Sequence, residues 1–223
     1  MKRTKHFRTV TLGAASALAL LTTAATAQNA PKPAATRPGA GAKPGAAAPK
    51  PSQQQAEMAA MMERAKAFTQ PSKFHKVLER FLGTWKTETR FFMGAKPGPA
   101  ELGTAEFTWQ MEGRWLKSEA RGKMMGRPLE VLTLFGYDNF KQSFVMTTMS
   151  NMDTAMNHAE GDLDPTGKSL LLYGTLDEYL TGEHDKMVKY AYRFQSPKRI
   201  VLEVHDLPIG EVNTKVVEIV FTR

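Results

Sequence analysis

From Gly83 to the C-terminus, apolar residues recur at every second position, and no helical stretch interrupts them. Successive side chains of an extended chain point to opposite faces, so this alternation requires strands with one buried side. Ten segments carry it: Thr84–Phe92, Gly103–Glu112, Trp115–Gly122, Leu129–Tyr137, Gln142–Met149, Asn157–Leu163, Ser169–Leu176, Val188–Gln195, Ile200–Asp206 and Asn213–Thr222. The links between them are short and hold turn-forming residues. Asp164-Pro165-Thr166-Gly167 suits a type I turn, with Asp first, Pro second and Gly last. Tyr137-Asp138-Asn139-Phe140 and Gln195-Ser196-Pro197-Lys198 read as further tight reversals.

Ten consecutive strands with short links form an antiparallel meander. A sheet that long is expected to close on itself, because closure removes its exposed edges. The expected fold is therefore all-β: a closed antiparallel meander barrel of about ten strands spanning 83–223, preceded by short helices. Barrels of eight or more strands enclose a space that side chains fill or that holds one small molecule.

The chain before Gly83 divides into three parts. Lys2, Arg3, Lys5 and Arg8 precede an apolar run from Val10 to Leu21 and the small-x-small triplet Ala25-Thr26-Ala27. That is the pattern of a secretory signal peptide, 1–27, cut near Ala27 to leave a periplasmic or secreted protein starting at Gln28. The apolar run is too short for the roughly twenty residues of a membrane span. Residues 28–55 are rich in Ala, Pro, Gly and Lys and contain no large apolar side chain. Such a segment cannot bury enough surface to offset its ordering entropy and reads as a disordered tether. Residues 56–82 form a helical segment. Met58, Met61, Met62, Ala65 and Phe68 recur at helical spacing, and Phe74, Val77, Leu78 and Phe81 mark a second short helix over Lys73–Leu82 behind Ser72.

The net charge of +8 suggests a nucleic-acid partner until the charges are located. Four basic residues lie in the leader and four more (Lys32, Arg37, Lys43 and Lys50) in the tether, with no acids in either. The remainder holds 22 basic and 22 acidic residues, so the folded part is neutral and lacks the basic footprint of a phosphate-backbone binder. The chain has no cysteine, which removes disulfides, thiol nucleophiles and thiolate metal sites.

Gly83-Thr84-Trp85, following a short helix and opening the first strand, resembles the Gly-x-Trp start of lipocalin and calycin barrels. More of the chain fits one group. His75, Leu78, Gly113-Arg114, Gly136-Tyr137-Asp138, Ala159-Glu160-Gly161, Leu163-Asp164, Gly174 and Thr181-Gly182 occur in order. Together they resemble an uncharacterised bacterial family of calycin-like barrels, often exported and named only as a domain of unknown function. The resemblance covers His75 to Arg223 and implies a fold; it carries no catalytic residues.

The residues then offer several chemistries. Met146, Met149, Met152 and Met156 form a run of thioethers that could hold Cu(I), although Met146 and Met149 differ by an odd number on one strand and should face opposite ways. His205, on a late strand, could serve as an axial haem ligand, or could simply hydrogen-bond beside Asp206. Asp162-Leu163-Asp164-Pro165-Thr166-Gly167 matches the first half of a calcium loop, but its twelfth position is Tyr173 and a plain hairpin explains it. No nucleophile-elbow, zinc-protease or P-loop motif occurs, so no catalytic residue is assigned; an enzyme would need an acid–base pair assembled in the cavity. The aromatic residues are better indicators. Trp85, Trp109, Trp115, Tyr137, Tyr190 and Tyr192 are candidate cavity-lining residues. Arg193 is either an internal anchor for an acidic group or an outer, solvated position. The expected partner is a small hydrophobic or amphipathic molecule, with no nucleic acid and no membrane span. Oligomeric state has no signature here.

Overall fold

A computed structural model describes residues 52–94, 96–178, 181–208 and 214–223. The leader, its cleavage site and the tether as far as residue 51 lie outside the described residues. Helix α1 (Gln53–Thr69) opens on a capping box, in which Ser52 Oγ accepts from the Gln55 backbone N–H and the Gln55 side chain accepts from Ser52 N–H. No α1 residue is buried, and the stripe of Met58, Met61, Met62 and Phe68 is exposed.

A short helix α2 (His75–Leu78) runs into a single 3-10 turn, Glu79–Phe81. The strands follow: β1 (Gly83–Met93), β2 (Lys96–Pro97), β3 (Glu101–Gln110), β4 (Trp115–Met124), β5 (Arg127–Asp138), β6 (Ser143–Ser150), β7 (Asn157–Leu163), β8 (Ser169–Glu178), β9 (Glu183–Ser196), β10 (Arg199–Asp206) and β11 (Thr214–Thr222). Each strand from β3 onward pairs antiparallel with the next, and β1 pairs with both β3 and β11. The β1–β11 seam, from Lys86↔Thr222 to Phe91↔Val217, closes the ring. Among the described residues the barrel has ten strands, as expected. The two-residue strand β2, a flap hydrogen-bonded to the end of β1, is additional.

The alternation of the sequence becomes the alternation of inside and outside. On β1, Trp85 and Thr87 are buried; on β4, Leu116 and Ser118; on β8, Leu170 and Leu172. At the end where β1 begins, the 3-10 turn stoppers the ring. The Phe81 ring lies 5.3–5.6 Å from those of Phe107, Phe135, Tyr192 and Phe194. The Trp85 indole N–H donates to the Phe81 carbonyl at 2.5 Å, tying the turn to the strand it precedes. Gly161, on the inner face of β7, allows close packing against β8: a Cβ there would lie 2.0 Å from the Leu171 carbonyl oxygen.

Candidate functional site

Phe81 and its aromatic neighbours fill one half of the barrel. The other half encloses a cavity of about 210 Å³, open toward the end where β1 finishes. Its wall combines Leu129, Val131, Leu202, Val204 and Ile219 with hydroxyls from Thr87, Ser118, Thr133 and Thr148. The Thr133 and Thr148 hydroxyls bond to each other at 2.9 Å across β5 and β6, which settles two polar groups inside an apolar space. The floor carries Phe135, Met146 and Tyr192, with the Tyr192 hydroxyl donating to Met146 Sδ at 3.6 Å. Toward the mouth, Phe91, Met124, Met152 and Val217 continue the apolar wall.

Tyr190 and Tyr192 both line this cavity. Burial pushes the Tyr190 phenol up to about 12 and raises Tyr192 further, so both stay protonated at neutral pH and serve as neutral hydrogen-bonding groups. The Tyr190 hydroxyl makes no hydrogen bond to another described residue and so is available to an occupant.

Other candidate residues lie elsewhere. Trp85 and Tyr137 are buried at the stoppered end, where Tyr137 stacks on Phe74 with centroids 4.4 Å apart. Trp109 packs against the core beside Ser72 and His75, outside the cavity. Trp115 is on the outer face. It pairs with Gly136 across β4 and β5 and lays its ring where a side chain on Gly136 would be. Arg193 is also external, because its neighbours Tyr192 and Phe194 take the inner face. Its Nε donates to Glu203 Oε2 at 2.9 Å. Burial alone would raise the Glu203 carboxyl, but the Arg193 hydrogen bond and the charges of Arg193 and Lys215 hold it below the usual carboxylate range. Arg193 is thus not an anchor inside the barrel.

The metal and haem candidates separate in the same way. Met146 points to the floor of the cavity, while Met149 lies on the outer surface beside Leu132 and Asn151, so the two do not share a site. His205 belongs to the outer face with Glu203, whose carboxylate is 3.7 Å from its Nε2, and does not enter the cavity. An irregularity between Val204 and His205 keeps Lys215 on that outer face too. Among the described residues no three His, Asp or Glu side chains are grouped to hold a metal. Asp164, from the calcium-like run, turns its carboxylate onto the amides of Lys168 and Ser169, as a hairpin does. No helix among the described residues is long and apolar enough to cross a membrane.

Most of the lining residues, Glu101 among them, are absent from the sequence candidates. The reading from sequence begins the second strand at Gly103, which puts Glu101 in a turn. Strand β3 starts at Glu101, and the register Thr89↔Glu101 sets this carboxylate on the inner face at the mouth. The inward hydroxyls were detectable too: Thr87, Ser118 and Thr133 alternate with charged or bulky neighbours, as inner positions do.

A family model described as a protein of unknown function, DUF1579, matches residues 70–223. The chain belongs to this family. The DUF1579 region begins just after α1 and takes in the stopper and every strand of the barrel. Solved structures align with the chain. Rv2717c from M. tuberculosis aligns with a TM-score of 0.51 at 13% identity, over 69% of this chain and 99% of its own. The S-type phycobiliprotein lyase CPES from Guillardia theta aligns with a TM-score of 0.47 at 9% identity, over 72% of this chain and 96% of its own. At 13% identity the likeness to Rv2717c is one of fold. No curated protein matches the chain.

Proposed function

We propose that this DUF1579 protein binds a small hydrophobic or amphipathic molecule in its barrel, and that it does so as an exported protein. The observation that carries the reading is the cavity itself: about 210 Å³, walled by aliphatic, aromatic and hydroxyl groups, stoppered at one end by Phe81 and open at the other. Empty apolar cavities of about 150 Å³ already take up benzene-sized molecules, so this space is ample for a short chain or a ring. The hydroxyl of Tyr190 supplies the kind of isolated polar contact that orients a ligand in an apolar pocket. Export is supported by the basic start, apolar run and Ala25-Thr26-Ala27 triplet of the first 27 residues.

The test is to fill the space. Ala120 faces the cavity from β4, and Ala120→Phe would occupy it at a cost of about 1–3 kcal/mol in overpacking. Octanol titrated into the unmodified protein should raise its melting temperature, since a ligand that binds only the folded state stabilises it. The Ala120→Phe protein should show a much smaller rise. Native mass spectrometry of material from the exported fraction should find a co-purifying small molecule. No stabilisation by octanol and no bound mass would count against the proposal.

A further inference from the structure

Glu101 stands apart from the rest of the cavity wall. It is half-buried, it faces inward opposite Thr89, and among the described residues no hydrogen bond or ion pair engages its carboxylate. A glutamate withdrawn from water is normally paired, because an uncompensated charge near an apolar surface loses hydration without return. The nearest basic side chains do not supply the pairing. Arg121 and Lys123 belong to the same stretch of wall, but they alternate to the outer face of β4. There Arg121 is 3.8 Å from Glu130, itself an outer residue of β5. The other side chains that face the cavity are aliphatic, aromatic or hydroxylic. Among the described residues that line this cavity, Glu101 is therefore the charged side chain that faces inward without a partner, and it sits at the mouth. Farther out, Lys186 and Asp206 on the inner faces of β9 and β10 pair with each other at 2.8 Å, and Asp153 at the mouth accepts the Ala155 amide.

We infer that the ligand is an amphiphile with a cationic end: an apolar body held between Val131, Leu202 and Ile219, and an ammonium or guanidinium group set against Glu101 at the opening. This deepens the proposed function and rests on it. An anionic amphiphile such as a fatty acid would bring its carboxylate to the Glu101 carboxylate. Like charges meeting at a half-desolvated rim are disfavoured, whereas opposite charges gain both attraction and a charge-assisted hydrogen bond. The floor reinforces the orientation. Tyr190 and Tyr192 remain neutral and offer no compensation for a buried charge, so a charged end is placed at the mouth, not at the base.

Calorimetric titration of the full-length chain with octylamine, octanol and octanoate at neutral pH separates the possibilities, since the three share a chain and differ in the charge of the end group. Octylamine should bind about tenfold tighter than octanol, and octanoate weakest, the size expected of one hydrogen bond to a charged group. Glu101→Gln should remove the advantage of octylamine, leave octanol unchanged and strengthen octanoate. Glu130→Gln deletes a negative charge from the outer face of the same rim and should leave the ranking intact; if it alters the ranking as Glu101→Gln does, diffuse surface charge is responsible and the inference falls. Octanol binding with no preference among the three would overturn the cationic assignment while leaving the cavity a binding site. Failure of all three to bind would remove the cavity reading and this inference with it.

Discussion

Trp115 and Gly136 act as a unit. The indole covers a glycine directly across the β4–β5 ladder, and a Cβ at residue 136 would come within 2.5 Å of the ring. Gly136→Ala should therefore displace the indole and lower stability by about 1–3 kcal/mol in a denaturant titration, with a change in tryptophan fluorescence. His75 sets a second constraint. It is buried, its Nδ1 accepts the Ser72 backbone N–H at 3.0 Å, and burial together with the nearby Arg114 charge holds its pKa below the ordinary imidazole value. Protonation is thus harder in the folded protein than in the unfolded chain. The unfolded chain takes up its proton first as pH falls through about 6.5, and from there stability declines down to the folded-state value. Thermal melts between pH 7.5 and 5 should show a falling midpoint, and His75→Gln should flatten that slope. At this scale the site was only partly legible. Tyr192 and Arg193 are neighbours of comparable size, and nothing local reveals that Tyr192 turns inward. Trp115 and Leu116 are both apolar, and only the glycine across the ladder explains why the larger one is outside.

The strands were legible because alternation is a local signal. Asn157–Leu163 is found with the expected limits, and the others differ by a few residues at their ends. The two-residue strand β2 was not legible, since nothing so short has a period. The helices divide the labour differently from their apolar spacing. The methionine stripe of α1 suggests a buried face, yet α1 meets the body only at its C-terminal end. There Phe68 contacts the Phe140 ring, Asn139 Nδ2 donates to the Gln70 carbonyl at 2.8 Å, and Arg114 reaches the Thr69 carbonyl. Phe81, which its spacing places on the second short helix, sits in the 3-10 turn that follows α2 and is the stopper. Removing residues 53–66 should leave the melting temperature nearly unchanged. Phe81→Ala should cost about 3–5 kcal/mol, because it opens a void among four aromatic rings. Gly161→Ala should be costly as well, since the β7–β8 ladder would have to part to admit a methyl group beside the Leu171 carbonyl. Circular dichroism melts of the three variants check all of this.

For the whole molecule, the architecture followed from counting strands and from the need to remove edges, whereas the position of the cavity did not. That position depends on which end Phe81 plugs, a contact between residues far apart in sequence. Deleting 214–223 would leave β1 and β10 without their common neighbour. The shortened protein should aggregate or fail to melt cooperatively, as light scattering and calorimetry would show. The seam also has a kinetic meaning. Its partners, Lys86 and Thr222, come from opposite extremes of the barrel sequence, so the last strand of the barrel to be synthesised is the one that shuts the cylinder. Until it arrives, every nascent copy carries two open borders able to recruit strangers, and refolding should be governed by this longest-range encounter and slow accordingly. Joining residue 223 back to residue 83 through a short linker and opening the chain at the Asp164–Gly167 turn would make that encounter local, and the rearranged protein should refold faster to the same cylinder.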